Sequence, residues 1–383
     1  MPRPEQTYPV EAESYWLDHA ASVVGGGDEG IDSLAPHVAR LSDLFTTARP
    51  EGGYPDYFSD PSLLSAYGVF FLPQGWTRAA VALRQCIELR GWRPPSRTLR
   101  VMDIGCGPGS CGVAAAWHLR SVGVEHVMLT GVDRSPAALA AFDAFARSVL
   151  GEGASVETRI TDVSDVTAWP DESPDLIVAG FVLNELACAD ERRATEWIRL
   201  ACTRLAPGGL LLVLEPALRF AAERLLRASD QVAAQGPFVR IAPQLDALPS
   251  PLLASGRDHW EHESAPWTAP ASTELVNRRL HRDLREVRFS FAAFVNGTPA
   301  LSPPDGSARI VSDIQIIKGL VRFIAVRKGV EQQVEVPTRG MSKHDIKAFA
   351  ASLCRGAIVG YPGGDAGKLR LAGHEEIRLI WRP

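Results

Sequence analysis

The sequence has few cysteines, and no two of them are closely spaced. A Cys-x-x-Cys pair is absent from all 383 residues. Because disulfide frameworks and structural zinc sites use paired cysteines, we expect neither, and a reducing, cytoplasmic location fits best. The six cysteines are scattered along the chain: Cys86, Cys106, Cys111, Cys188, Cys202 and Cys354.

Long apolar runs are also missing. No stretch approaches the ~18 continuous apolar residues of a membrane span, so we expect none. The first residues carry early acids (Glu5, Glu11 and Glu13) and no basic stretch leading into an apolar run, which excludes a signal or transit peptide pattern. At 46% hydrophobic and 22% charged, the chain can bury a large core and form one large unit or two to three smaller ones.

Lysine is rare, and its placement reveals a charge asymmetry. All five lysines lie in residues 276–383, which hold 18 basic and 10 acidic side chains. Residues 1–275 hold 22 basic and 35 acidic ones, so the net charge of -5 hides an acidic body and a basic C-terminal region. The basic region indicates either a polyanionic partner or a solvated basic surface, and both interpretations stay open.

Residues 1–98 are expected to form a helical N-terminal region. Helical spacing of apolar residues covers 31–47 and 76–90, and an aromatic segment, 54–76, separates the two. Prolines in this segment are expected to interrupt helices: Pro55, Pro61 and Pro73.

Residues 99–296 alternate between strand and helix patterns. This alternation predicts an α/β fold, a doubly wound, Rossmann-like parallel sheet. Two further strands would complete seven as an antiparallel pair at one edge, with 243–284 as a lid or insert. The predicted strands are 99–104, 126–132, 156–160, 175–181, 210–214, 238–242 and 287–295, and the helices are 110–121, 136–150, 190–205, 217–234 and 272–284.

The last part of the chain, 305–383, shows short β patterns and one helix near 342–353. Strands are expected in ARIVSDIQII, LVRFIAV, QQVEV and EEIRLIW. This spacing predicts a small C-terminal β-barrel.

The segment with the clearest chemical meaning is Asp103-Ile-Gly-Cys-Gly-Pro-Gly109, at the end of the first strand of the sheet. Alternate glycines let the backbone turn sharply and approach a ligand that a Cβ atom would exclude. A shifted register, Gly107-x-Gly109-x-x-Gly112 with Asp133 further on, also fits a dinucleotide-binding loop. Asp103 would repel a pyrophosphate, however, and favours a cationic cofactor that carries an amino acid.

These motifs resemble those of the class I S-adenosylmethionine-dependent methyltransferases. The resemblance implies that Asp133, which ends LTGVD, binds the ribose hydroxyls, and that Asp162 in RITDV faces the adenine amine. It also implies that DLIVAGFVLNEL borders the methyl group and that LAPGGLLLVLEP leads into the fifth strand. The expected cofactor is S-adenosyl-L-methionine, and the expected cofactor-binding residues are Asp103, Gly105, Cys106, Gly107, Gly109, Asp133, Arg134, Asp162, Val163 and Phe181.

A narrower resemblance extends over AYGVFFLPQGWTRAAVAL, VLEPALRFAAERLLRASD and MSKHDIKAFAASLCRGAIVG. These segments are similar to a methyltransferase-like family that takes part in assembly of the mitochondrial small ribosomal subunit and has bacterial members. That resemblance implies an oligonucleotide-binding-like barrel at the C-terminus and ribosomal RNA or the small ribosomal subunit as partner.

One departure from that family concerns its cysteine cluster after the sixth strand. The corresponding stretch here has no cysteine and instead carries His259, Glu261, His262 and Glu263. We expect a polar lid loop here; an acceptor pocket, a base or a metal ligand remain alternatives, and we predict no metal site.

Methyl transfer from a sulfonium requires the protein to align the acceptor and, where needed, to remove its proton. Asn184 and Glu185 are the candidate catalytic residues, although Glu185 fits a helix cap equally well. Cys106 and Cys111 are expected to pack as small side chains, and Cys188 to be buried. The sequence thus predicts a methyltransferase with a small-molecule acceptor, covered by 54–76 and 258–267. The alternative is a ribosome- or RNA-associated factor that binds S-adenosylmethionine, with or without rRNA methylation.

Overall fold

The computed structural model describes residues 8–50, 53–186, 190–254, 260–364 and 367–383. Cys188 and His259 lie outside these ranges. Within them, no helix is both long and apolar enough to cross a membrane. The five cysteines in the described ranges are free thiols.

Five α-helices lie between Val10 and Arg90 in the described residues, and their boundaries differ from the predicted ones. The predicted helix over 31–47 is divided at Leu34, two residues before Pro36, whose nitrogen has no hydrogen to donate. Pro61 and Pro73 do not interrupt helices, because each lies in a first helical turn, where an N–H needs no intrahelical partner. The helices are α1 Val10–Val24, α2 Gly27–Ser33, α3 Ala35–Phe45, α4 Pro61–Ala66 and α5 Leu72–Arg90, with a π-helical turn at Tyr67–Phe71 between the last two.

The central sheet is a doubly wound α/β sheet, which confirms the predicted Rossmann-like topology. Its strands are β1 Thr98–Ile104, β2 His126–Asp133, β3 Ala154–Ile160, β4 Leu176–Gly180, β5 Leu210–Pro216, β6 Val239–Ala242, β7 Glu263–Pro266 and β8 Glu286–Val295. Their order is β3-β2-β1-β4-β5-β8-β6, with β1 to β5 parallel and β8 antiparallel to both β5 and β6.

Within the described ranges, the sheet has eight strands rather than the predicted seven. The additional strand, β7, pairs with β8 and comes from the segment predicted as a lid or insert. Four residues are too few to display a reliable period-two pattern, so this strand was not predictable from residue spacing.

Helices cover both faces of the sheet. Successive β1 residues alternate between the two layers: Val101 joins the core shared with the N-terminal helices, and Met102 joins the core on the opposite face. These helices are α6 Gly112–Ser121, α7 Pro136–Leu150, α8 Leu183–Leu186, α9 Glu191–Arg204, α10 Arg219–Gln235 and α11 Ala271–Arg279.

The C-terminal region forms a second sheet. Its elements are β9 Ser307–Ile310, β10 Gln315–Ile317, β11 Leu320–Arg327, β12 Val330–Pro337, α12 Lys343–Ser352, β13 Ile358–Gly360, β14 Lys368–Arg370 and β15 Arg378–Trp381. The pairing runs β14-β12-β11-β9-β13-β15, and β10 pairs with β11. Because β14 and β15 end this path without pairing in the described residues, closure into a barrel stays a prediction.

The predicted strand ARIVSDIQII is two strands, β9 and β10. Between them, the hydroxyl of Ser312 accepts the Ile324 N–H at 2.8 Å, in place of a backbone carbonyl. The side-chain hydrogen bond therefore interrupts the regular ladder.

The second sheet packs on the rest of the chain through charged and apolar contacts. Trp381 Nε1 donates to Glu88 Oε2 at 2.8 Å, and Arg309 forms buried ion pairs with Glu261 and Glu263. Ile358 joins the core beneath α5. The domain boundaries proposed from the sequence stay predictions. They separate the N-terminal region from the central sheet after residue 98, and the central sheet from the C-terminal region between residues 296 and 305.

Candidate functional site

A cavity of about 410 Å³ lies at the carboxyl ends of β1, β2, β4 and β5. Ligand sites of doubly wound sheets lie at this edge. The N-terminal region covers the cavity with an aromatic roof: Phe45, Tyr54, Tyr57, Phe58, Tyr67 and Phe71. The predicted cover by 54–76 therefore lies next to the predicted cofactor loop.

The glycine turn after β1 is tightly bent. Gly105 and Gly107 line the cavity with positive φ angles of 64° and 50°. A Cβ atom on Gly105 would lie 2.5 Å from Val182 Cγ2, and one on Gly107 would lie 3.3 Å from the Phe58 ring. Glycine is required here because the turn and its neighbours leave no room for a side chain.

Two predicted cofactor residues of this turn do not face the cavity. Gly109 and Cys106 are absent from its lining, and Cys106 is buried with its carbonyl accepting the Gly109 N–H at 2.9 Å. Burial raises the pKa of the Cys106 thiol well above its usual value, and that of Cys111 to about 12. These thiols are neutral packing groups, which supports the expectation from the sequence.

Asp133 at the end of β2 lines the cavity and holds the glycine turn. Its Oδ2 accepts the Gly107 N–H and its Oδ1 accepts the Ser135 N–H, both at 2.9 Å. Burial raises the pKa of Asp133, and these hydrogen bonds oppose the rise.

Asp162 also lines the cavity, beside Val163, and its Oδ1 accepts the Ser164 N–H at 2.9 Å.

Asp103 lies behind the turn rather than in the cavity wall. Its side chain is buried, and Oδ2 accepts the N–H of Gly112, the first residue of α6, at 2.9 Å. Burial raises the pKa of Asp103 to about 8. In this geometry the Asp103 carboxyl group caps a helix and positions the turn without lining the cavity, and its contact with the cofactor stays a prediction.

Phe181 follows β4 and lines the cavity in a strained conformation. Its φ is 65°, which is unusual for an aromatic residue and typical of functional sites. The guanidinium of Arg78 lies 5.5 Å from the centre of the Phe181 ring.

Arg134 also lines the cavity and donates a hydrogen bond to the Tyr54 carbonyl. This bond joins the end of β2, where Asp133 lies, to the aromatic roof.

Asn184 is held by protein groups at both ends of its side chain. Its Nδ2 donates to the Phe181 carbonyl at 2.6 Å, and its Oδ1 accepts from Arg49 Nη2 at 2.7 Å. Its backbone N–H donates to Glu215 Oε2 at 3.0 Å. Asn184 lines the cavity, but these bonds favour a positioning role over the predicted hydrogen bond to an acceptor.

Glu185 lines the cavity next to Asn184, on α8. Burial raises its pKa to about 7, while the cations of Arg134 and Arg49 oppose this and the nearby Asp133 adds to it. A carboxyl group that titrates near neutrality suits general base catalysis, because it is both available and basic enough to accept a proton.

The acids of the segment before β8 do not belong to this cavity. Glu261 and Glu263 are buried against Arg309, and burial together with Arg355 lowers the pKa of His262 to about 3. The expectation of a polar lid loop is therefore wrong for these residues, which join the two sheets. No group of potential metal ligands occurs within the described ranges.

Two residues of this site were not anticipated from the sequence. Arg49 and Arg78 reach it from the N-terminal region. Arg49 belongs to no motif, and Arg78 lies in AYGVFFLPQGWTRAAVAL, which supported only the narrower resemblance. The aromatic segment was the available signal, because it pointed to the part of the chain that covers the cavity.

Residues 102–211 match the family model described as a methyltransferase domain. The matched segment contains the glycine turn, Asp133, Asp162 and Glu185. Together with the strand order, the match supports the predicted Rossmann-like methyltransferase fold for this part of the chain.

Two curated relatives are both trans-aconitate 2-methyltransferases. That of Variovorax paradoxus (strain S110) is 31% identical over 176 residues, or 45% of this chain and 59% of the relative. That of Paracidovorax citrulli (strain AAC00-1) is 32% identical over 158 residues, or 40% of this chain and 52% of the relative. The chain thus spans just over half the length of these relatives.

Two solved structures are similar at low sequence identity. One is described as a putative class I S-adenosylmethionine-dependent methyltransferase from Listeria monocytogenes; its TM-score is 0.39 at 13% identity, and the match covers 78% of this chain and 91% of that chain. The other is magnesium protoporphyrin IX methyltransferase from Synechocystis PCC 6803; its TM-score is 0.34 at 12% identity, and the match covers 68% of this chain and 96% of that chain. The narrower resemblance to the ribosome-assembly family stays a prediction.

Proposed function

We propose that this protein is an S-adenosylmethionine-dependent methyltransferase that acts on a small-molecule acceptor. The observation that carries the proposal is the meeting of Gly107, Asp133, Asp162 and Glu185 around one cavity at the carboxyl edge of the sheet. When bound, S-adenosylmethionine supplies an electrophilic methyl group on a sulfonium.

The residues present fit this cofactor. Gly105 and Gly107 line the cavity without a side chain, so a ligand can approach their backbone closely. Asp133 uses one lone pair of each oxygen for the turn, which leaves acceptor capacity for ribose hydroxyls. Asp162 is the proposed partner of the adenine amine, and Arg134, Val163 and Phe181 complete the set.

Glu185 is the proposed base for an acceptor that must lose a proton. Asn184 and Arg49 fix the loop that carries it. The aromatic roof excludes water and brings the acceptor into line with the methyl group.

The modest volume of the cavity, about 410 Å³, and the aromatic roof over it favour a small acceptor over a macromolecule. The relatives are named for trans-aconitate, a tricarboxylate. We therefore propose a small carboxylic acid as the acceptor class.

Calorimetry on the full chain tests the cofactor assignment. S-adenosylmethionine and S-adenosylhomocysteine should bind, and NAD should not. Asp133→Ala should weaken binding ~100-fold, since it removes an acceptor of charged hydrogen bonds and releases the turn. Asp143→Ala is the matched control, because Asp143 lies on α7 and pairs with Arg147. Unchanged affinity in Asp133→Ala, or preferential binding of NAD, would contradict the assignment.

The second candidate is an RNA- or ribosome-associated factor, favoured by the basic surplus of residues 276–383. Phe323 and Tyr361 are buried and so offer no stacking surface for bases. If this second candidate is correct, the full chain should bind generic single-stranded RNA at low salt, and the double variant Lys343→Glu/Lys347→Glu should bind it more weakly. Absence of binding at low salt would exclude this candidate. A cytoplasmic location stays a prediction.

A further inference from the structure

Arg78 is a half-buried cation in the cavity wall that lacks an acidic partner. Its Nη2 donates to Gln74 Oε1 at 3.2 Å, and its Nε is buried without a hydrogen-bond partner. Within the described ranges, no carboxylate forms an ion pair with it. An unpaired charge with a buried N–H that has no acceptor is costly, so its presence beside a cavity calls for a functional reason.

The groups nearest to Arg78 do not supply the missing negative charge. Burial raises the pKa of Tyr67, and that of Cys111 to about 12, so both are neutral near pH 7. Burial lowers the pKa of Arg78 only to about 10, so its guanidinium stays protonated at neutral pH.

The other arginines that line the cavity are already bonded to protein oxygens. Arg134 donates to the Tyr54 carbonyl, and Arg288 forms an ion pair with Glu286. Gln74 is itself fixed, because its Nε2 donates to the Phe70 carbonyl at 2.8 Å and its Oε1 thereby accepts from Arg78. The guanidinium is held from one side by Gln74 and over the Phe181 ring.

We infer that Arg78 binds a carboxylate of a ligand in this cavity. A planar guanidinium and a carboxylate form paired, charge-assisted hydrogen bonds, and a ligand carboxylate would supply the negative charge that Arg78 lacks. The inference rests on the proposed function, which offers two sources of a carboxylate: the amino-acid end of the cofactor and a carboxylic acid acceptor.

The test compares wild type with Arg78→Met by calorimetry on the full chain. Decarboxylated S-adenosylmethionine serves as a probe, because it differs from S-adenosylmethionine only in that carboxylate. If Arg78 binds the cofactor, Arg78→Met should weaken S-adenosylmethionine binding ~30-fold or more and leave the probe unchanged.

If Arg78 binds the acceptor instead, Arg78→Met should bind both cofactor forms as wild type does. Trans-aconitate, titrated in the presence of S-adenosylhomocysteine, should then bind ~30-fold or more weakly. A folded Arg78→Met variant with no loss in either titration overturns the inference. Failure of wild type to bind S-adenosylmethionine would instead overturn the proposed function.

Two further variants separate ligand binding from folding. Arg90 lies on the same helix and is buried, but donates to the Ile241 carbonyl at 3.0 Å and the Leu301 carbonyl at 3.3 Å. Arg90→Met should lower the unfolding temperature without changing ligand affinity. If Arg78→Met does not fold, Arg78→Lys is tested instead, because lysine keeps the positive charge but lacks the paired N–H donors of the guanidinium. A loss of affinity in one of the two titrations then supports the inference, and no loss in either overturns it.

Discussion

Nη2 of Arg49 lies 2.7 Å from Oδ1 and 2.9 Å from the carbonyl oxygen of Asn184. The two residues are 135 positions apart, and the contact joins the segment after α3 to the loop after β4. The N-terminal region therefore covers the cavity and also holds the helix, α8, that carries Asn184 and Glu185. The aromatic roof and α8 depend on one another through this pair.

Replacement of Arg49 by Met should lower the rate of methyl transfer more than it lowers cofactor affinity. Both hydrogen bonds to Asn184 are lost, and charged hydrogen bonds of this kind contribute ~1.5–3 kcal/mol. We expect kcat to fall ~10-fold as the loop loses its orientation. Initial rates and S-adenosylhomocysteine calorimetry check this. Arg40→Met, an exposed change on α3, is the control, and an Arg49→Met variant with wild-type kcat would contradict the role.

The pH dependence of the reaction should follow Glu185. Its pKa is raised to about 7, so the carboxyl group is protonated and inactive as a base below that pH. The rate should therefore rise as pH increases through about 7 and level off above it. Measurement of kcat from pH 5 to 9 checks the direction.

Glu185→Gln should remove this pH step and reduce kcat by ~100-fold or more, as expected when a general base is lost. Glu196→Gln is a suitable control, because Glu196 is exposed on α9 and pairs with Arg199. A profile that falls with increasing pH, or one that Glu185→Gln leaves unchanged, is incompatible with the assignment.

The sequence predicted the parts of this site that are encoded locally. Gly105 and Gly107 follow a buried strand, and Asp133 ends the next, so both were recognisable from the order of strands and turns. The carboxyl edge of a parallel sheet then brings them together. The doubly wound core was predictable for the same reason, since each strand and helix carries its own pattern of apolar residues.

Contacts between distant segments left no such pattern. Asn184 was predicted to touch an acceptor, yet its side chain is occupied by Arg49, and its N–H by Glu215. Glu261 was expected in a polar loop, but Arg309, 48 residues later, pairs with it in the interior. Side-chain partners of this kind are set by the packed fold, which residue spacing does not report.

Arg309 should be essential for stability because it neutralises two buried carboxylates. Arg309→Met leaves Glu261 and Glu263 without their cation and should lower the free energy of unfolding by ~3–5 kcal/mol. Urea unfolding at pH 7 measures the change. Arg309→Met/Glu261→Gln/Glu263→Gln should recover most of the loss, since no charge then stays buried, and a single variant as stable as wild type would contradict the argument.

Gly107→Val tests whether the turn itself forms the cofactor site. Gly107 has a φ of 50°, and its Cβ position lies 3.3 Å from the Phe58 ring, at the cavity wall. A branched side chain there would strain the backbone and occupy the space that the cofactor needs. We expect S-adenosylmethionine binding to be lost in calorimetry while the variant remains folded by circular dichroism.

Gly151→Val separates the two effects of that substitution. Gly151 has a similar φ of 57° after α7, but no atom lies within 4 Å of its Cβ position. Both variants therefore place a branched residue at a positive φ and strain the backbone, and only Gly107→Val should add a side chain at the cavity. If both variants lost cofactor binding equally, strain would be the cause. If Gly107→Val bound as wild type does, the cofactor would lie elsewhere.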